Sequence, residues 1–580
     1  MKTAKQRETA SRRWTLRREP VARGHSLASA LGVSPVIASV LAARGVETEE
    51  AARALLKPNL EQLHDPYLML GMRGSVARVL RAVDAGERIL IYGDYDVDGT
   101  TGTVVLRRAL EVLGGKTGYH VPHRFTEGYG IRQDVLERAK ADGYALVISV
   151  DCGIRAHEPL EWAQGAGLDV IVTDHHLPDA DEGAPPAFAV LNPNQRGCAY
   201  PDKNLAGVGV AFKLIQALFR ERGKENLIPG FLKVVAIGTV ADVAQLVGEN
   251  RAIVALGLRD LHRATNPGLR ALMKVAGIGD DKRVRAFDLG FRLGPRINAA
   301  GRMDAARAVV ELFEAKDAKE ARRLAEHLDA RNRERQAVQQ QVTELAVAEL
   351  ELSGQDITSV IVVAGDGWHR GVVGLAASKI CEKLGRPAVV ISLDEDGMGH
   401  GSARSTENFH MLDALTACAD LLENFGGHAH AAGLGIRREN VAELRRRLNE
   451  NAAGLAREVG GAASLEVDAE LDAGELGLEL CGELEALEPF GAGWPRPIFV
   501  TRDLRIVGEP RVMKERHLKF NVNTADGRVH ECIWWSGTER MTTTPRPGER
   551  IELAYSVEAN CWNGRTRLQL VVEDLKQGDR

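Results

Sequence analysis

No two of the seven cysteines in this 580-residue chain are spaced C-x-x-C. That excludes a zinc ribbon, and their scatter argues against a disulfide framework; free thiols fit a reducing compartment. The chain also lacks any run of about 18 or more apolar residues, so no membrane span is expected. Its first residues are polar and basic (Lys2, Lys5, Arg7, Arg12, Arg13, Arg17, Arg18) and lack the apolar core of a signal peptide. Glu8, Glu19 and the scarcity of serine speak against a transit peptide, so residues 1–24 are expected to be a basic flexible tail. Nor is there an overall positive charge. The net charge is −5, so a groove for nucleic acid would have to be a local basic patch.

What is present is ordinary globular composition, 44% hydrophobic and 27% charged, over a length that calls for three or four domains. Residues 25–85 read as short helices, one beginning at Ser34-Pro35 and one capped by Thr48 before Glu49 and Glu50. Strand-like runs then alternate with helical ones. Ile89–Tyr92 precedes a helix near Thr101–Leu113, Ala145–Val150 precedes one near Ala156–Gln164, and Asp169–Thr173 follows. This alternation predicts an α/β domain with a doubly wound parallel sheet over 86–304. Residues 305–355 are charged and alanine-rich with helical periodicity, and read as one long connecting helix or two. A second α/β unit spans 356–452. After a Gly/Ala-rich stretch near 453–463, short β-type runs (498–500, 518–522, 529–535, 551–557, 566–572) predict a small oligonucleotide-binding (OB) barrel over 464–580.

The chemistry is carried by acids at the ends of the expected strands, where sites form in such sheets. Gly93-Asp94-Tyr95-Asp96-Val97-Asp98-Gly99 follows the first strand. If extended, it turns three carboxylates to one side. Three crowded carboxylates repel unless a cation or protons neutralise them, and a hard divalent metal is the simplest answer. Asp151-Cys152-Gly153 follows the second strand, Asp174-His175-His176 the third, and a further acid, Asp242, ends Ile237-Gly238-Thr239-Val240-Ala241. Singly, Asp151 or Asp242 reads equally well as a turn or helix cap, and a His pair as structural. The joint pattern points to a metal.

With these motifs in order, the chain resembles the DHH phosphoesterase superfamily, named for its Asp-His-His triplet. Within it, the chain looks like the bacterial single-strand-specific 5′→3′ DNA exonucleases. Phe125–Gly130, Gly294–Arg302, Gly401–Ser405, Gly426–Gly433 and Glu488–Gly493 extend the likeness over roughly residues 25–575. The resemblance implies two α/β catalytic domains (DHH and DHH-associated) joined by the helix, plus the OB barrel. It also implies two divalent ions bridged by Asp151. Asp94 and Asp96 would complete one, and Asp98, His175 and Asp242 the other, while Asp174 and His176 would orient ligands or meet the scissile phosphate. Manganese suits mixed imidazole and carboxylate ligation, with magnesium a weaker substitute. Such a pair, about 3.5–4 Å apart, serves phosphoester hydrolysis.

The resemblance further makes Ser402 and Arg404, with Arg124, a pocket for a 5′-terminal phosphate. Gly401–Ser405 is expected to be a tight turn; Arg404 pairing with a carboxylate is the plainer alternative. Arg296 and Arg302 are candidate phosphate contacts. His430 or His428 is expected at the cleft, with a structural role almost as good a reading. In the barrel, Trp534, Trp535 and Trp562 are stacking candidates. Half of the barrel aromatics are expected to be core, and adjacent strand positions allow only one of Trp534 and Trp535 there. The activity implied is hydrolysis of single-stranded DNA from a 5′ end to 5′-mononucleotides, in repair and recombination in the bacterial cytoplasm. A helicase and a single-strand-binding protein are the expected partners, with no membrane. The alternatives are a nanoRNA or cyclic-dinucleotide phosphodiesterase and a non-catalytic nucleic-acid-binding scaffold. The barrel and length favour a polymer substrate, and the full ligand set disfavours a scaffold.

Overall fold

The computed structural model describes residues 12–17, 23–179, 181–279, 283–303, 306–353, 359–406, 409–455, 464–541, 544–562 and 565–577. The Gly/Ala-rich stretch near 453–463 falls largely outside these residues. The first sheet is wholly parallel, in the order Lys116–His120, Arg88–Gly93, Tyr144–Val150, Asp169–Thr173, Ala189–Leu191. Its strands are apolar because both faces are covered. Ile89, Ile91, Leu146, Ile148 and Ile171 pack with the helices Met72–Ala85 and Gly207–Glu221. Leu90, Tyr92, Val147 and Val170 pack with Gln133–Ala141 and His157–Gly165. The winding reverses between Arg88–Gly93 and Tyr144–Val150, so a crevice opens at the carboxyl ends of those two strands.

Two helices, Arg307–Glu314 and the 36-residue Ala318–Ser353, lead to the second unit. Its sheet runs Leu422–Gly427, Ala431–Arg437, Met398–Arg404, Ala388–Leu393, Ile361–Asp366, with only the last pair parallel. The C-terminal strands Phe499–Met513, His517–Asn523, Val529–Trp534, Arg565–Gln577 and Arg550–Trp562 close into a barrel when Phe499 pairs with Tyr555. No helix of the described residues is long and apolar enough to cross a membrane.

One expectation is corrected. Part of the expected flexible tail, Arg13–Leu16, is a strand pairing in parallel with Ser464–Val467, and the Trp14 indole donates to Asp574 at 2.7 Å. The N-terminal helices also have a distant partner: Val36, Ile37, Val40 and Leu41 share one core with Phe499, Phe520, Trp534 and Tyr555 of the barrel.

Candidate metal centre

The first strand stops at Gly93, and the acids after it do not stay extended. Asp96 caps a helix that begins at Val97, accepting from the Gly99 amide at 3.1 Å, so Asp98 lies in its first turn. This corrects both the extended geometry and the expected start at Thr101. The acids still converge because the chain turns tightly: a Cβ on Gly99 would lie 2.6 Å from Asp94. Asp98 accepts the Gly207 and Val208 amides at 2.6 and 2.8 Å, so the N-terminus of Gly207–Glu221 holds it. Asp151 follows the second strand with φ 63°, its amide fixed by Thr173 O at 2.9 Å. A Cβ on Gly207 would meet its carboxylate at 2.6 Å. Asp242 is not at a strand end: the β-branched run before it is the buried helix Ile228–Ala241, which Asp242 terminates.

These elements bring three sets of ligand atoms each within 4.8 Å of one another: Asp94, Asp96 and Asp151; Asp98, His175 and Asp242; and Asp151, His175 and His176. His175 Nε2 lies 3.2 Å from Asp151 Oδ1, 3.8 Å from Asp98 and 3.9 Å from Asp242. Asp94 Oδ1, Asp151 Oδ1 and His175 Nε2 are buried without a hydrogen-bond partner. Buried polar atoms are rarely left so, and a hard divalent cation would satisfy all three.

The electrostatics agree. Burial, then the neighbouring Asp98, Asp96, Asp94 and Asp242, drives Asp151 well above the usual carboxyl range. Burial and then Asp96 push Asp98 to about 7, and burial with Asp98 and Asp96 pushes Asp242 to about 9. Burial, then His176, lowers His175 to about 4, so at neutral pH its ring keeps a free lone pair. Asp174 is different. Burial alone would raise it, yet the His176 bond and charge and the Ile154 and His176 amides bring it below the ordinary value. It accepts from Ile154 N at 2.9 Å, His175 N at 2.7 Å, His176 N at 3.1 Å and His176 Nδ1 at 2.7 Å. With its oxygens thus occupied, Asp174 positions His176 rather than a metal.

A cavity of about 270 Å³ lies over the acids, lined also by Tyr95, Arg124, Tyr129, His176, Asn298 and Arg302. Two arginines of that lining, Arg124 and Arg302, are within electrostatic reach of two further guanidinium groups, those of Arg335 and Arg404. Arg302, pushed down to about 10 by burial, feels Arg124, Arg335 and Arg404, and burial followed by Arg124 also lowers Arg404. Among the described residues none of the four pairs with a carboxylate. Arg302 donates to Gly371 O at 2.9 Å, Arg404 to Ala403 O at 2.7 Å and Arg335 to Asn332 at 3.0 Å, while Arg124 stacks 4.8 Å over Tyr95. Crowded, partly desolvated cations of this kind call for an anion.

Ser402 and Arg404 stand on the strand Met398–Arg404, not in a tight turn. Their side chains flank Gly374, where a Cβ would meet Ser402 Oγ at 3.2 Å and Arg404 at 3.1 Å. Exposed His430 sits in the turn before Ala431, with its carbonyl on Ser405 N at 2.9 Å. Arg296 is not at the cleft. It pairs with Asp329 of the long helix at 2.9 Å and donates to Arg292 O at 2.7 Å. Trp534 is 2% exposed and belongs to the barrel core, whereas Trp535 is 51% exposed against His517. Trp562 pairs with Arg565 at the strand end. Trp368 is core and His369 caps Arg370–Leu384.

Sequence reasoning gave no role to Tyr129, whose hydroxyl lies 3.2 Å from His176 Nδ1 and 3.3 Å from Asp151 O, although its segment carries part of the resemblance. It also missed Asn298 Oδ1 accepting from Val97 N at 3.2 Å, and Arg335, which nothing distinguishes among the many charges of its helix.

Fold and site together define a DHH-type phosphoesterase with a DHH-associated domain and an OB barrel. Family models agree: the DHH family, N-terminal domain, matches residues 88–239, the DHHA1 domain 357–454 and the RecJ OB domain 467–574. The chain belongs to the RecJ family. It is 38% identical to the single-stranded-DNA-specific exonuclease RecJ of Bacillus subtilis (strain 168), over 97% of this chain and 70% of that one. Crystal structures of RecJ from Thermus thermophilus superpose closely. The Mn2+ complex gives TM-score 0.83 at 30% identity, covering 99% of this chain and 80% of that one. The Mg2+ complex gives 0.77 at 29%, covering 98% and 79%.

Proposed function

We propose that this chain is a metal-dependent exonuclease that degrades single-stranded DNA from its 5′ end to 5′-mononucleotides. The observation that carries this reading is the adjacency of two unlike sites: a carboxylate–imidazole cluster with orphaned buried ligand atoms, and an uncompensated arginine cluster sharing its cavity wall. The first suits a scissile phosphate and the second a terminal one. Asp94, Asp96 and Asp151 would hold one divalent ion, and Asp98, His175 and Asp242 a second within reach of Asp151. When bound, the ions supply the positive charge that offsets the attacking and leaving oxygens, manganese being preferred over magnesium.

The chain's own residues do the rest. Asp174 accepts the Nδ1 proton of His176 and fixes that ring at the cavity wall. Arg124, Ser402 and Arg404 take the 5′-terminal phosphate, and Arg302 lines the cavity over the acids together with Arg124. Water attacks the phosphorus next to the terminal nucleotide and the 3′ oxygen departs. The setting is repair and recombination in the bacterial cytoplasm, with a helicase feeding the strand and a single-strand-binding protein at hand.

The test uses matched single-stranded DNAs blocked at the 5′ or the 3′ end. Mononucleotide release stopped only by the 5′ block is expected, with Asp151→Ala abolishing release while retaining strand binding. Cleavage of short oligomers alone would instead indicate a nanoRNA or cyclic-dinucleotide phosphodiesterase.

A further inference from the structure

A second cavity, of about 490 Å³, shares no lining residue with the one over the acids. It has the size of a small-molecule site, about 300–1,000 Å³. Three distant parts of the chain enclose it. The N-terminal helix Glu49–Leu56 supplies Ala54 and Leu55. Leu246 and Val247 come from the segment just before the helix Gly248–Arg259, and Trp494 from the entry to the barrel. These walls are apolar.

The charges set among them do not balance. Glu249 is taken by Lys213 at 2.5 Å and by the Tyr200 hydroxyl. Arg44 pairs with Asp468 at 2.7 Å, and Arg17 with Glu466 at 2.8 Å. Arg251 is left over. It is 5% exposed, and among the described residues no carboxylate pairs with it. Its terminal nitrogens donate to the carbonyls of Leu487, Glu488 and Pro489 at 2.7, 3.1 and 3.0 Å. Its Nε is buried without a hydrogen-bond partner. Arg44 and Arg251 both lie against the Trp494 ring, at 4.8 and 5.2 Å. Burial, then Arg44, lowers Arg251 to about 10. A buried cation without a counter-charge is costly, and an anion with a hydrogen-bonding oxygen would relieve it.

We infer that this cavity binds a small organic anion, a phosphate or carboxylate carried on an apolar or aromatic body. The charge lies at Arg251 and the body against Ala54, Leu55 and Leu246. A bare inorganic anion would leave the apolar walls unused, and a neutral ring would leave Arg251 unpaired. Released 5′-mononucleotides belong to this class, a point that rests on the exonuclease reading; an aliphatic carboxylate is the other source. The occupant would brace a joint. Leu246 follows Asp242 by four residues, and its amide donates to Ala492 O at 2.7 Å, so the cavity lies between the segment leaving the metal cluster and the barrel entry.

Titration calorimetry on the full chain, with chelator present, tests this with dAMP, octanoate, deoxyadenosine and inorganic phosphate. The Arg404→Ala background removes nucleotide binding at the terminal-phosphate pocket. One site for dAMP or for octanoate is expected, and which of them binds tells the nucleotide source from the carboxylate one. Deoxyadenosine and phosphate should each bind at least about tenfold more weakly than that anion, since each lacks half of the recognition. The bound anion should also raise the melting temperature. Ala54→Phe fills the cavity without changing its charge and should abolish both effects, while mononucleotide release without added anion stays as in the unaltered chain. Arg251→Met should weaken binding by about tenfold or more. Undiminished binding in an Ala54→Phe chain that melts like the unaltered one would overturn the inference. So would the absence of binding by both anions at millimolar concentration, or deoxyadenosine binding as tightly as dAMP. The titrations involve no turnover, so a failure of the exonuclease reading would show separately, as no nucleotide released from any strand.

Discussion

Asp151 occupies a left-handed backbone conformation, and a glycine at position 207 makes room for its carboxylate. Aspartate tolerates that region better than most residues. Function at this scale depends on which charge lacks a protein partner. Among the described residues Arg404 has no carboxylate partner, whereas Arg296 is tied to Asp329 with both side chains mostly covered. Arg404→Ala should therefore cut the preference for 5′-phosphorylated over 5′-hydroxyl strands by about tenfold to a hundredfold, the value of a charge-assisted hydrogen bond. Arg296→Ala should leave that preference alone and cost about 1.5–3 kcal/mol of stability. Competition between the two strand types, alongside thermal melts, checks both. A loss of preference in the Arg296 variant would contradict the assignment. The six proposed ligands came through the family resemblance that the order of the motifs carries, and the structure brings their ligand atoms together. The two arginines were not separable, because partner choice depends on where a helix more than thirty residues later passes.

Elements decide how those residues meet, and here the sequence misled in instructive ways. The run ending at Asp242 has the β-branched composition of a strand but is a helix covered on most sides; short apolar runs leave that choice open. The three acids of the first motif converge through a cap and a first helical turn instead of alternation. In the barrel, by contrast, alternation was decisive. Trp534 and Trp535 point to opposite faces, one into the core and one outward. Trp534→Ala should cost about 3–5 kcal/mol, as loss of a buried ring does. Trp535→Ala should stay within about 0.5 kcal/mol of the unaltered chain yet weaken single-strand binding about tenfold. Denaturant melts and salt-controlled binding titrations separate the two; equal stability losses would mean that the faces were misassigned.

At the scale of the whole molecule, the arginine cluster draws on the first domain, the long helix and the second sheet, so its pocket exists only in the assembled chain. Helices near the N-terminus complete the core of the barrel more than 400 residues later. Nothing local in the sequence announces such a partnership, since an amphipathic helix does not specify what covers it.

The metal cluster puts that assembly under a pH-dependent load. Without ions, burial and mutual repulsion hold Asp98 at about 7 and Asp242 at about 9, against an ordinary 3.8. Between the ordinary and the raised value a carboxyl binds more protons folded than unfolded, so stability falls as pH rises through that window. Buried His175, lowered to about 4, acts oppositely, but only below its ordinary 6.5. Above about pH 6.5 the acids are therefore unopposed by it. The chelated protein should melt at steadily lower temperature from about pH 6.5 to about 8.5. Saturating magnesium should flatten that slope, because ligation requires the same carboxylates deprotonated and stabilises them in that form. The stabilisation by metal should accordingly widen with pH, as should its apparent affinity. Melting curves with chelator and with magnesium across that range provide the check. Parallel curves would mean that the acids do not share the ions, and would remove the physical basis for the metal centre.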